Sequence, residues 1–406
     1  MEIRPTTDQD LDVFVNTMHA AFGLHPDTPN EDGGGVWWSA FEMDRGLLAV
    51  TTDGRPVGTA AAYSFELTLP GEILAPAAGV TAVGVLPSHR RQGVLTAMMR
   101  HQLTELRARG EFLCVLLASE ARIYGRFGYG PATYTGRITV ARHQGGLAAP
   151  RAHGRVDAPG AGSVEVLRRA ECGDILEEVY DRYRRAQPGA LSRPHRWWTL
   201  GAGQPPIAQA PRYVAVHRDA DGVPDGYASY SLSDGTLTVD ETIATDDAVC
   251  TALIGFLLGH DLVTQVAFKH FPPGHPLRWQ LADFRAAQVS NDTDWLWVRL
   301  LDVPQALTAR GWCTDGELVL DVDDPFLGEH HRYLLTVRDG KAGCVPTDRD
   351  PDLSLDVRDL GAIYLGGTAP STLVRAGHIR AHRADAGTRA DILFHAERHP
   401  HCLHWF

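Results

Sequence analysis

The sequence predicts a mixed α/β protein built from three consecutive regions, and three observations support this fold class. Helix and strand signals alternate over residues 1–140, the same layout recurs over residues 141–288, and short strands mix with short helices over residues 289–406. A chain of 406 residues is long enough for two or three domains of roughly 100–200 residues each. Its 44% hydrophobic and 22% charged residues are ordinary for a folded protein with a sizeable core.

In the first region a helix precedes a set of strands. Thr6 and Thr7 stand before DQDLDVFVNTMHAAF, whose early acids are typical of a helix start. The stretch GLLAVTTDGRPVGTAAAYSFELTL predicts two strands joined by a turn at Asp53-Gly54. The strand VTAVGVL then leads through a basic, glycine-containing turn into the helix LTAMMRHQLTELRARG, and EFLCVLLAS predicts a buried strand.

The second and third regions follow a connection at residues 141–165 that is rich in Gly, Pro, Ala and Arg. The second region contains the strands RYVAVHR, YASYSLS and TLTVDETIA and then the helix AVCTALIGFLLGH. Its strand-to-helix turn, IATDDAVC, lacks the basic, glycine-containing element of the first region. The third region begins with DWLWVRLLD and continues through ELVLDV, YLLTVRD and LSLDV, with helical stretches near Leu360–Tyr364 and Ser371–Arg375.

The composition narrows the classes of function and location. The formal net charge of −12 argues against a nucleic acid partner, because such binding depends on basic side chains that neutralise phosphates. An acidic protein suits a cationic substrate, although an acidic surface also serves solubility. We find no apolar run of about 18 residues and expect no membrane span. The acid-containing start MEIRPTTDQDLDVF and six scattered cysteines without a CxxC pair predict a cytoplasmic protein with free thiols.

The segment VTAVGVLPSHRRQGVLTAMMR, residues 80–100, carries the clearest chemical signal. Arg90 and Arg91 precede Gly93 at the point where a predicted strand gives way to a helix. Backbone N–H groups at a helix N-terminus attract anions, glycine permits close approach, and arginines add charge-assisted hydrogen bonds to phosphate. No GxxxxGK[ST] is present, which excludes a Walker P-loop. A solvated surface turn with two arginines is the alternative interpretation.

The segment ASEARIYGRFGYGPA, residues 118–132, provides a candidate proton donor. A tyrosine with its reference pKa of about 10 is protonated at neutral pH and can act as a proton donor. Tyr124 and Tyr129 are the two tyrosines of this segment. A structural role in which the rings only pack in the core is open for both.

Together these two segments resemble the GCN5-related N-acetyltransferases (GNAT), whose [RQ]xxGx[GA] signature holds the pyrophosphate of acetyl-CoA. Arg90 and Gly93 match the signature, whereas Leu95 departs from its final Gly or Ala. The resemblance implies that Tyr124 is the general acid and that the strand before the turn is bulged, with Gly84 as the bulge residue. It also implies that acetyl-CoA is bound by Val83, Gly84, Val85, Arg90, Arg91, Gln92, Gly93, Val94 and Leu95.

The combination of HRRQGVL and SEARIYGRFGYGPA resembles more closely the Eis (enhanced intracellular survival) acetyltransferases. That family has tandem GNAT-like domains, the second of them degenerate, followed by a sterol-carrier-protein-like domain. The resemblance implies domains at residues 1–140, 141–288 and 289–406, and RDLGAIYLGG (358–367) resembles the third. It implies acetyl transfer from acetyl-CoA, without a metal, to amino groups of aminoglycosides or similar polycationic amines by a homohexamer.

Other functions stay open beside this one. Within the enzyme class, the amine of a protein lysine or of another small molecule is the runner-up acceptor. From a different class, the third region suggests a lipid- or ligand-carrying protein with a relic acetyltransferase attached. Thiol release from acetyl-CoA distinguishes the enzyme from the carrier.

The chain ends in HPHCLHWF, residues 399–406, a sequence too apolar for a tail that frays into water. In the Eis family the terminus returns to the N-terminal active site and its α-carboxylate serves as general base. The resemblance therefore implies that Phe406 is catalytic, accepting the ammonium proton directly or through water. A C-terminal strand packed for stability is the alternative.

The same tail is rich in possible metal ligands. His395 and His399 have the i, i+4 spacing that places two ligands on one face of a helix. Pro400 would interrupt such a helix, and the sequence places no partner ligand elsewhere. We therefore expect no metal site in the cluster formed by His395, His399, His401, Cys402 and His404.

Substrate contacts are predicted from acidic and aromatic side chains. The loop HPDTPNEDGGG contains Asp27 and is followed by Trp37, and in GNAT proteins the loop after the first helix borders the acceptor site. Carboxylates and aromatic faces both suit a polyamine, through ion pairs and cation–π contacts. Glu120 and Trp405 complete the candidate set. An ordinary acidic loop with core tryptophans is the alternative.

Overall fold

Three β-sheets carry the fold in the computed structural model of the chain, whose described residues are 1–23, 40–148, 162–199 and 213–406. The sheets have seven, seven and five strands with helices packed against them, so the predicted mixed α/β class is confirmed. The strands are β1 (Glu2–Pro5), β2 (Leu47–Val50), β3 (Pro56–Leu69), β4 (Ile73–Val85), β5 (Leu113–Leu117), β6 (Gly130–Pro131), β7 (Tyr134–Ala141), β8 (Ser163–Arg168), β9 (Tyr213–Arg218), β10 (Pro224–Ser233), β11 (Thr236–Ala244), β12 (Gln265–Phe271), β13 (Ala287–Asp294), β14 (Leu296–Leu300), β15 (Gly316–Asp324), β16 (Glu329–Arg338), β17 (Lys341–Pro346), β18 (Leu353–Asp356) and β19 (Arg380–Ala381). The helices are α1 (Leu11–Ala21), α2 (Val94–Ala108), α3 (Ala121–Tyr124), α4 (Ile175–Ala186), α5 (His195–Thr199), α6 (Asp247–Leu258), α7 (Leu277–Gln280), α8 (Val303–Ala309), α9 (Val357–Tyr364), α10 (Pro370–Arg375) and α11 (Ala386–Phe394).

The first sheet has the strand order β1-β2-β3-β4-β5-β14-β6. Its centre is the long antiparallel pair β3 and β4, and the predicted strand VTAVGVL is the second half of β4. Alternate residues of this pair face two different cores. Tyr63 and Phe65 lie in the core shared with α1, whereas Ala78 and Val80 pack with Met99 on α2. Because successive side chains of a strand point to opposite faces, both faces of this sheet are buried.

The second sheet has the order β13-β7-β12-β11-β10-β9-β8 and repeats the layout of the first. Strand β11 is followed by helix α6 and pairs in parallel with β12, as β4 is followed by α2 and pairs with β5. The alternation in TLTVDETIA predicts one buried face, and Leu237, Val239 and Ile243 are indeed buried. The register of β11 shifts at Asp240, so Leu237 and Val239 pack in the core with α6, whereas Ile243 and the buried Glu241 lie on the face that contains Tyr227.

The two seven-stranded sheets exchange strands along the chain. β7, whose residues follow the first six strands, pairs with β12 and β13 in the second sheet. β14, from much later in the sequence, pairs with β5 and β6 in the first sheet. The predicted boundaries after residues 140 and 288 stay a prediction, because the sheets interlock across both positions.

The third sheet has the order β17-β16-β15-β18-β19 and adjoins the first through β14. Helix α9 lies directly on β14, because a Cβ built at Gly361 would stand 2.3 Å from the carbonyl oxygen of Val298. The guanidinium of Arg299, fully buried on β14, donates a hydrogen bond to Asp324 at the end of β15. Strand β14 therefore joins the first and third sheets.

The last residues of the chain leave the third sheet and return to the first. After α11 ends at Phe394, residues 395–406 carry no helix or strand in the described structure, so the tail is not the strand of the alternative interpretation. A terminus packed only for stability stays open as an alternative. His401, Cys402, His404 and Phe406 are nevertheless buried. Among the described residues, no helix has the length and apolar character needed to span a membrane.

Candidate functional site

The central feature of the site is an opening in the first sheet between β4 and β5. Over the described residues these parallel strands pair only at Ala78–Cys114 and Gly79–Val115. β4 then continues to Val85, paired with β3 alone, and its other edge is left without a strand partner. Unpaired N–H and C=O groups along such an edge can hydrogen-bond an extended ligand.

A β-bulge lies in the unpaired half of β4. The register shifts so that Ala82 and Val83 stand opposite the single residue Ala60, and Ala82 has a φ of 51°. The hydroxyl of Thr59 donates to the carbonyl oxygen of Ala82 over 2.8 Å, which holds the bulge in place. The prediction that Gly84 is the bulge residue is therefore wrong.

Gly84 serves a different purpose. A Cβ built on it would stand 2.8 Å from the Cβ of Ala21, the last residue of α1. A side chain at this position would push α1 away from the sheet, so glycine is required by close packing. Val83 and Val85, on either side, are half-buried.

The turn after β4 forms a concave group of backbone N–H donors. Arg91 and Gly93 both adopt positive φ values, 62° and 82°, and Gly93 caps the N-terminus of α2. The first helical hydrogen bond in this turn runs from Ala97 to Gly93 over 3.0 Å, so the N–H groups that precede it point out of the helix end. An anion is favoured there by both the donors and the helix dipole.

The two arginines of the turn have different environments. Arg90 donates from Nε to the carbonyl of Val85 over 3.2 Å and from Nη2 to the carbonyl of Ala21 over 2.8 Å. It ties the turn to β4 and α1, which leaves fewer of its donors for a phosphate. Arg91 is exposed beside Gly93 and is the better placed of the two to meet a ligand.

Tyr124 packs on the face of the first sheet that α2 covers. It ends the short helix α3 and packs in the cluster that includes Ala78 and Val80 of β4. Burial raises the pKa of its hydroxyl, while a hydrogen bond with Ser119 acts in the opposite direction. Tyr129, fully buried with its ring edge-on to Tyr124 at 6.2 Å, lies deeper in the core.

Phe406 reaches the opening between β4 and β5 from the opposite face. Its ring is edge-on to Phe65 of β3 with centroids 5.1 Å apart, and a Cβ at Gly79 would stand 3.2 Å from it. Gly79 is one of the last two residues at which β4 and β5 pair. The terminal residue and Tyr124 therefore lie on opposite faces of one sheet.

Of the four predicted substrate-contact residues, the structure describes Glu120 and Trp405. Asp27 and Trp37 lie outside the described residues. Glu120 is exposed at the N-terminus of α3 and close enough to Tyr124 for its charge to raise the pKa of that hydroxyl. Trp405 is half-buried next to Phe406. Their contact with a substrate stays a prediction.

The histidine-rich tail does not form the helix that the i, i+4 spacing of His395 and His399 suggested. α11 ends one residue before His395, which is exposed, whereas His401 and His404 are buried. In the part of the chain that the structure describes, the group whose ligand atoms lie within 4.8 Å of one another is Asp174, Glu177 and His195, far from this tail in sequence.

The sequence analysis missed a buried charged group next to the tail. Arg193 donates to Glu241 over 2.9 Å and to His404 over 3.0 Å. Glu241 is buried and continues the alternation of buried positions in TLTVDETIA, and a carboxylate at such a position was the available signal. Nothing in the sequence around Arg193 identified its partner.

Known families match the whole architecture. Residues 2–132 and residues 189–300 each match a family described as an acetyltransferase (GNAT) domain, and residues 303–403 match the sterol carrier protein domain. The predicted order of two GNAT-like domains and a sterol-carrier-like domain is thus confirmed.

Full-length relatives agree with these matches. The chain is 34% identical to an uncharacterized N-acetyltransferase of Streptomyces griseus over 416 residues, 99% of each chain. It is 36% identical to the N-acetyltransferase Eis of Mycobacterium tuberculosis over 375 residues, 88% of each chain. The solved structure of Eis1 from Mycobacterium abscessus covers all of both chains with a TM-score of 0.86 at 32% identity. A GCN5-related N-acetyltransferase from Anabaena variabilis shares the fold, with a TM-score of 0.83 at 19% identity.

Proposed function

Because the chain belongs to the Eis family of GCN5-related N-acetyltransferases, we propose that it acetylates amino groups of an aminoglycoside or a similar polycationic amine. Acetyltransferases of the GNAT fold use acetyl-CoA as the acetyl donor. The net charge of −12 supports a cationic acceptor, since a negative protein attracts it from solution.

Acetyl-CoA would bind along the unpaired edge of β4 and at the turn that follows. The half-buried Val83 and Val85 flank the edge on which amide groups of the cofactor find hydrogen-bond partners. The N–H groups at the start of α2, together with the exposed guanidinium of Arg91, suit the pyrophosphate. Open space next to Gly93 supports this placement, because among the described residues no atom stands within 4 Å of a Cβ built there.

The proposed reaction is direct transfer in the opening between β4 and β5. The α-carboxylate of Phe406 accepts a proton from the ammonium group, directly or through water, and the free amine attacks the thioester carbon. A C–N bond forms, the C–S bond breaks, and Tyr124 gives its proton to the CoA thiolate. The acylated nitrogen then releases its second proton, which restores the Tyr124 hydroxyl directly or through water. Tyrosine is suited to this role because burial keeps its hydroxyl protonated.

One observation carries the proposal: the terminal residue of the chain packs against Gly79, at the point where β4 and β5 separate. The position of Tyr124 on the other face of β4 supports the pairing of a base with an acid across the thioester.

Deletion of Phe406 tests the terminal base. We expect acetyl transfer to be nearly abolished while acetyl-CoA binding stays close to wild type, and loss of the buried ring should lower the free energy of unfolding by about 2 kcal/mol. The deletion moves the carboxylate back by up to about 3.5 Å, and a general base must lie within about 3 Å of its proton or one water away. Thiol release with an aminoglycoside, a lysine peptide and a simple amine measures the activity and ranks the acceptors.

Extension of the chain is the matched control. Adding two glycines after Phe406 keeps its ring but turns its carboxylate into a neutral amide, so activity should also be lost. A packed terminus without catalytic function predicts full activity in the extended protein. That result would contradict the terminal base but not the acetyltransferase assignment.

A further inference from the structure

The tail that ends at Phe406 is attached to the second GNAT-like domain along most of its length. Arg398 forms an ion pair with Asp247 at 3.5 Å, and the carbonyl of His399 accepts a hydrogen bond from Gln187 over 2.9 Å. The N–H of His401 donates to the carbonyl of Pro188 over 2.8 Å. Leu403 packs on the core cluster that contains Tyr227 and Ile243.

This attachment lies at the counterpart of the cofactor site. β11 and β12 pair in parallel up to Val239–Phe268 and then separate, as β4 and β5 do after Gly79–Val115. Beyond that point Thr242 and His270 border a cavity of about 320 Å³ together with tail residues 397–399 and His401. The tail therefore occupies one wall of the space in which the first domain would hold its cofactor.

The charges at this counterpart are inverted. In the first domain, arginines precede the open N-terminus of α2. In the second, the side chain of Asp246 accepts the N–H of Val249 over 2.9 Å and closes the N-terminus of α6. Asp247 adds a further negative charge and pairs with Arg398 of the tail. A pyrophosphate is repelled from this end, whereas the cationic side chain of Arg398 is attracted.

A buried network then fixes the residue two positions before the terminus. Glu241, on the separating part of β11, accepts hydrogen bonds from Arg193 over 2.9 Å and from the hydroxyl of Tyr227 over 2.9 Å. Arg193 also donates from Nε to Nδ1 of His404 over 3.0 Å. Burial alone would raise the pKa of the Glu241 carboxyl, but the charge and hydrogen bonds of Arg193 lower it overall.

The network also sets the chemical state of His404. An arginine N–H can only donate, so Nδ1 accepts and the proton of the neutral imidazole is on Nε2. Burial, with a smaller contribution from Arg193, keeps the pKa of this ring well below its usual range. His404 therefore has no free lone pair with which to act as a base, and its ring packs between Trp197 at 4.8 Å and Phe65 at 5.3 Å.

We propose that the second domain uses its former cofactor cleft as a dock for the chain's own C-terminal segment. In this dock Arg193 and Glu241 are positioning residues that hold His404 and, through it, Phe406. The inference rests on the proposed role of the terminal carboxylate. The buried Arg193–Glu241 ion pair contributes little net stability, because the cost of desolvation offsets its attraction. Its contribution is to hold His404 in one position.

Replacement of His404 tests the dock without leaving a buried charge unpaired. His404→Leu removes the acceptor of Arg193, whereas His404→Asn keeps an oxygen near the position of Nδ1. We expect kcat to fall about 10–100-fold in His404→Leu, because small misplacements of a catalytic group have effects of this size. The KM for acetyl-CoA should not change, and His404→Asn should recover part of kcat.

Glu241→Gln is the second variant that tests the dock. Hydrogen exchange of the full-length protein measures the order of the tail independently of activity. Amide protection of residues 399–406 should fall in Glu241→Gln and His404→Leu, while protection of α2 and β4 stays at the wild-type level. Asp240→Asn, on the same strand but paired with Lys269, is the matched control and should leave kcat and tail protection unchanged.

The outcomes separate the dock from the terminal base. Folded Glu241→Gln and His404→Leu proteins with wild-type kcat and wild-type tail protection would overturn the dock, even if the extended chain is inactive. Full activity in the chain extended beyond Phe406 would instead overturn the terminal base, and loss of tail protection in Glu241→Gln would still support the dock.

Discussion

Tyr124 is the residue on which the proposed chemistry depends most directly. Removing its hydroxyl in Tyr124→Phe should lower kcat about 10²-fold or more, with little change in KM, because the proton is needed only as the thiolate leaves. Burial of the ring raises the pKa of the hydroxyl, so the acid stays protonated over the whole range of an ordinary assay. Steady-state kinetics by thiol release measures both constants.

The control for this variant is Tyr129→Phe. Tyr129 is fully buried and farther into the core, so loss of its hydroxyl should leave kcat within a few-fold of wild type. A Tyr124→Phe protein with wild-type turnover, together with an impaired Tyr129→Phe protein, would transfer the role of general acid to Tyr129.

Arg91 permits a second prediction at this scale. Arg91→Glu should weaken acetyl-CoA binding strongly, because it places a negative charge next to the helix end proposed for the pyrophosphate. The melting temperature should change little, since the side chain is exposed. Calorimetric titration measures the affinity, and Arg375→Glu, an exposed arginine of α10, is the matched charge reversal. Equal affinities in the two variants would remove Arg91 from the site.

At the scale of elements, the contact between α9 and β14 makes a specific demand on one glycine. Gly361→Ala would place a methyl group 2.3 Å from the carbonyl oxygen of Val298, so helix and strand must separate. We expect a loss of about 1–3 kcal/mol in the free energy of unfolding, as for other overpacked sites. Gly343→Ala on β17 meets no described atom within 4 Å and should be neutral in the same urea titration.

The buried histidines of the tail and of the neighbouring cavity wall predict a dependence of stability on pH. Burial lowers the pKa of His275 to about 4 and of His401 to about 3, and that of His404 lies well below its usual range. Below the unfolded value of about 6.5, the unfolded chain binds more protons than the native one, so stability falls as the pH drops from 6.5 toward these values. At pH 5.5 each such histidine lowers the free energy of unfolding by about 1 kcal/mol relative to neutral pH.

Urea titrations at pH 7.5 and pH 5.5 measure this loss. His275→Gln should be less sensitive to the change of pH than wild type, because one buried imidazole is gone. His395→Gln replaces an exposed histidine of the same tail and should show the full wild-type sensitivity. Equal stability of the wild type at both pH values would contradict burial of the docked histidines.

Individual elements show what the sequence could and could not predict. The strand, turn and helix around Gly93 were predicted because periodicity and a glycine turn are local signals. The bulge in this strand was expected at Gly84 and lies at Ala82, which no glycine or proline marks, and the carbonyl partners of Arg90 depend on where α1 ends in space. The placement of β14 beside β5 was missed because periodicity identifies a strand without identifying its neighbour.

At the scale of the whole molecule, strand exchange makes the first domain dependent on distant residues. β14 lies between β5 and β6, so residues 1–140 alone contain a sheet with a gap at its core. Buried side chains of β5 such as Leu113 and Val115 would lose their covering, and its backbone would become a free edge. Free hydrophobic edges favour aggregation over folding.

We therefore expect the fragment 1–140 to be insoluble or to lack a cooperative thermal transition, although a family model matches residues 2–132 of it. The reason is topological: sequence similarity locates the five early strands but not the strand that completes their sheet. Circular dichroism melting and acetyl-CoA titration of the fragment, beside the full chain purified in the same way, measure the effect. A fragment that melts cooperatively and binds acetyl-CoA with the affinity of the full chain would show that β14 is dispensable. The first sheet would then be an independent folding unit. The remaining residues of the chain would be needed for catalysis only because they supply the terminal carboxylate.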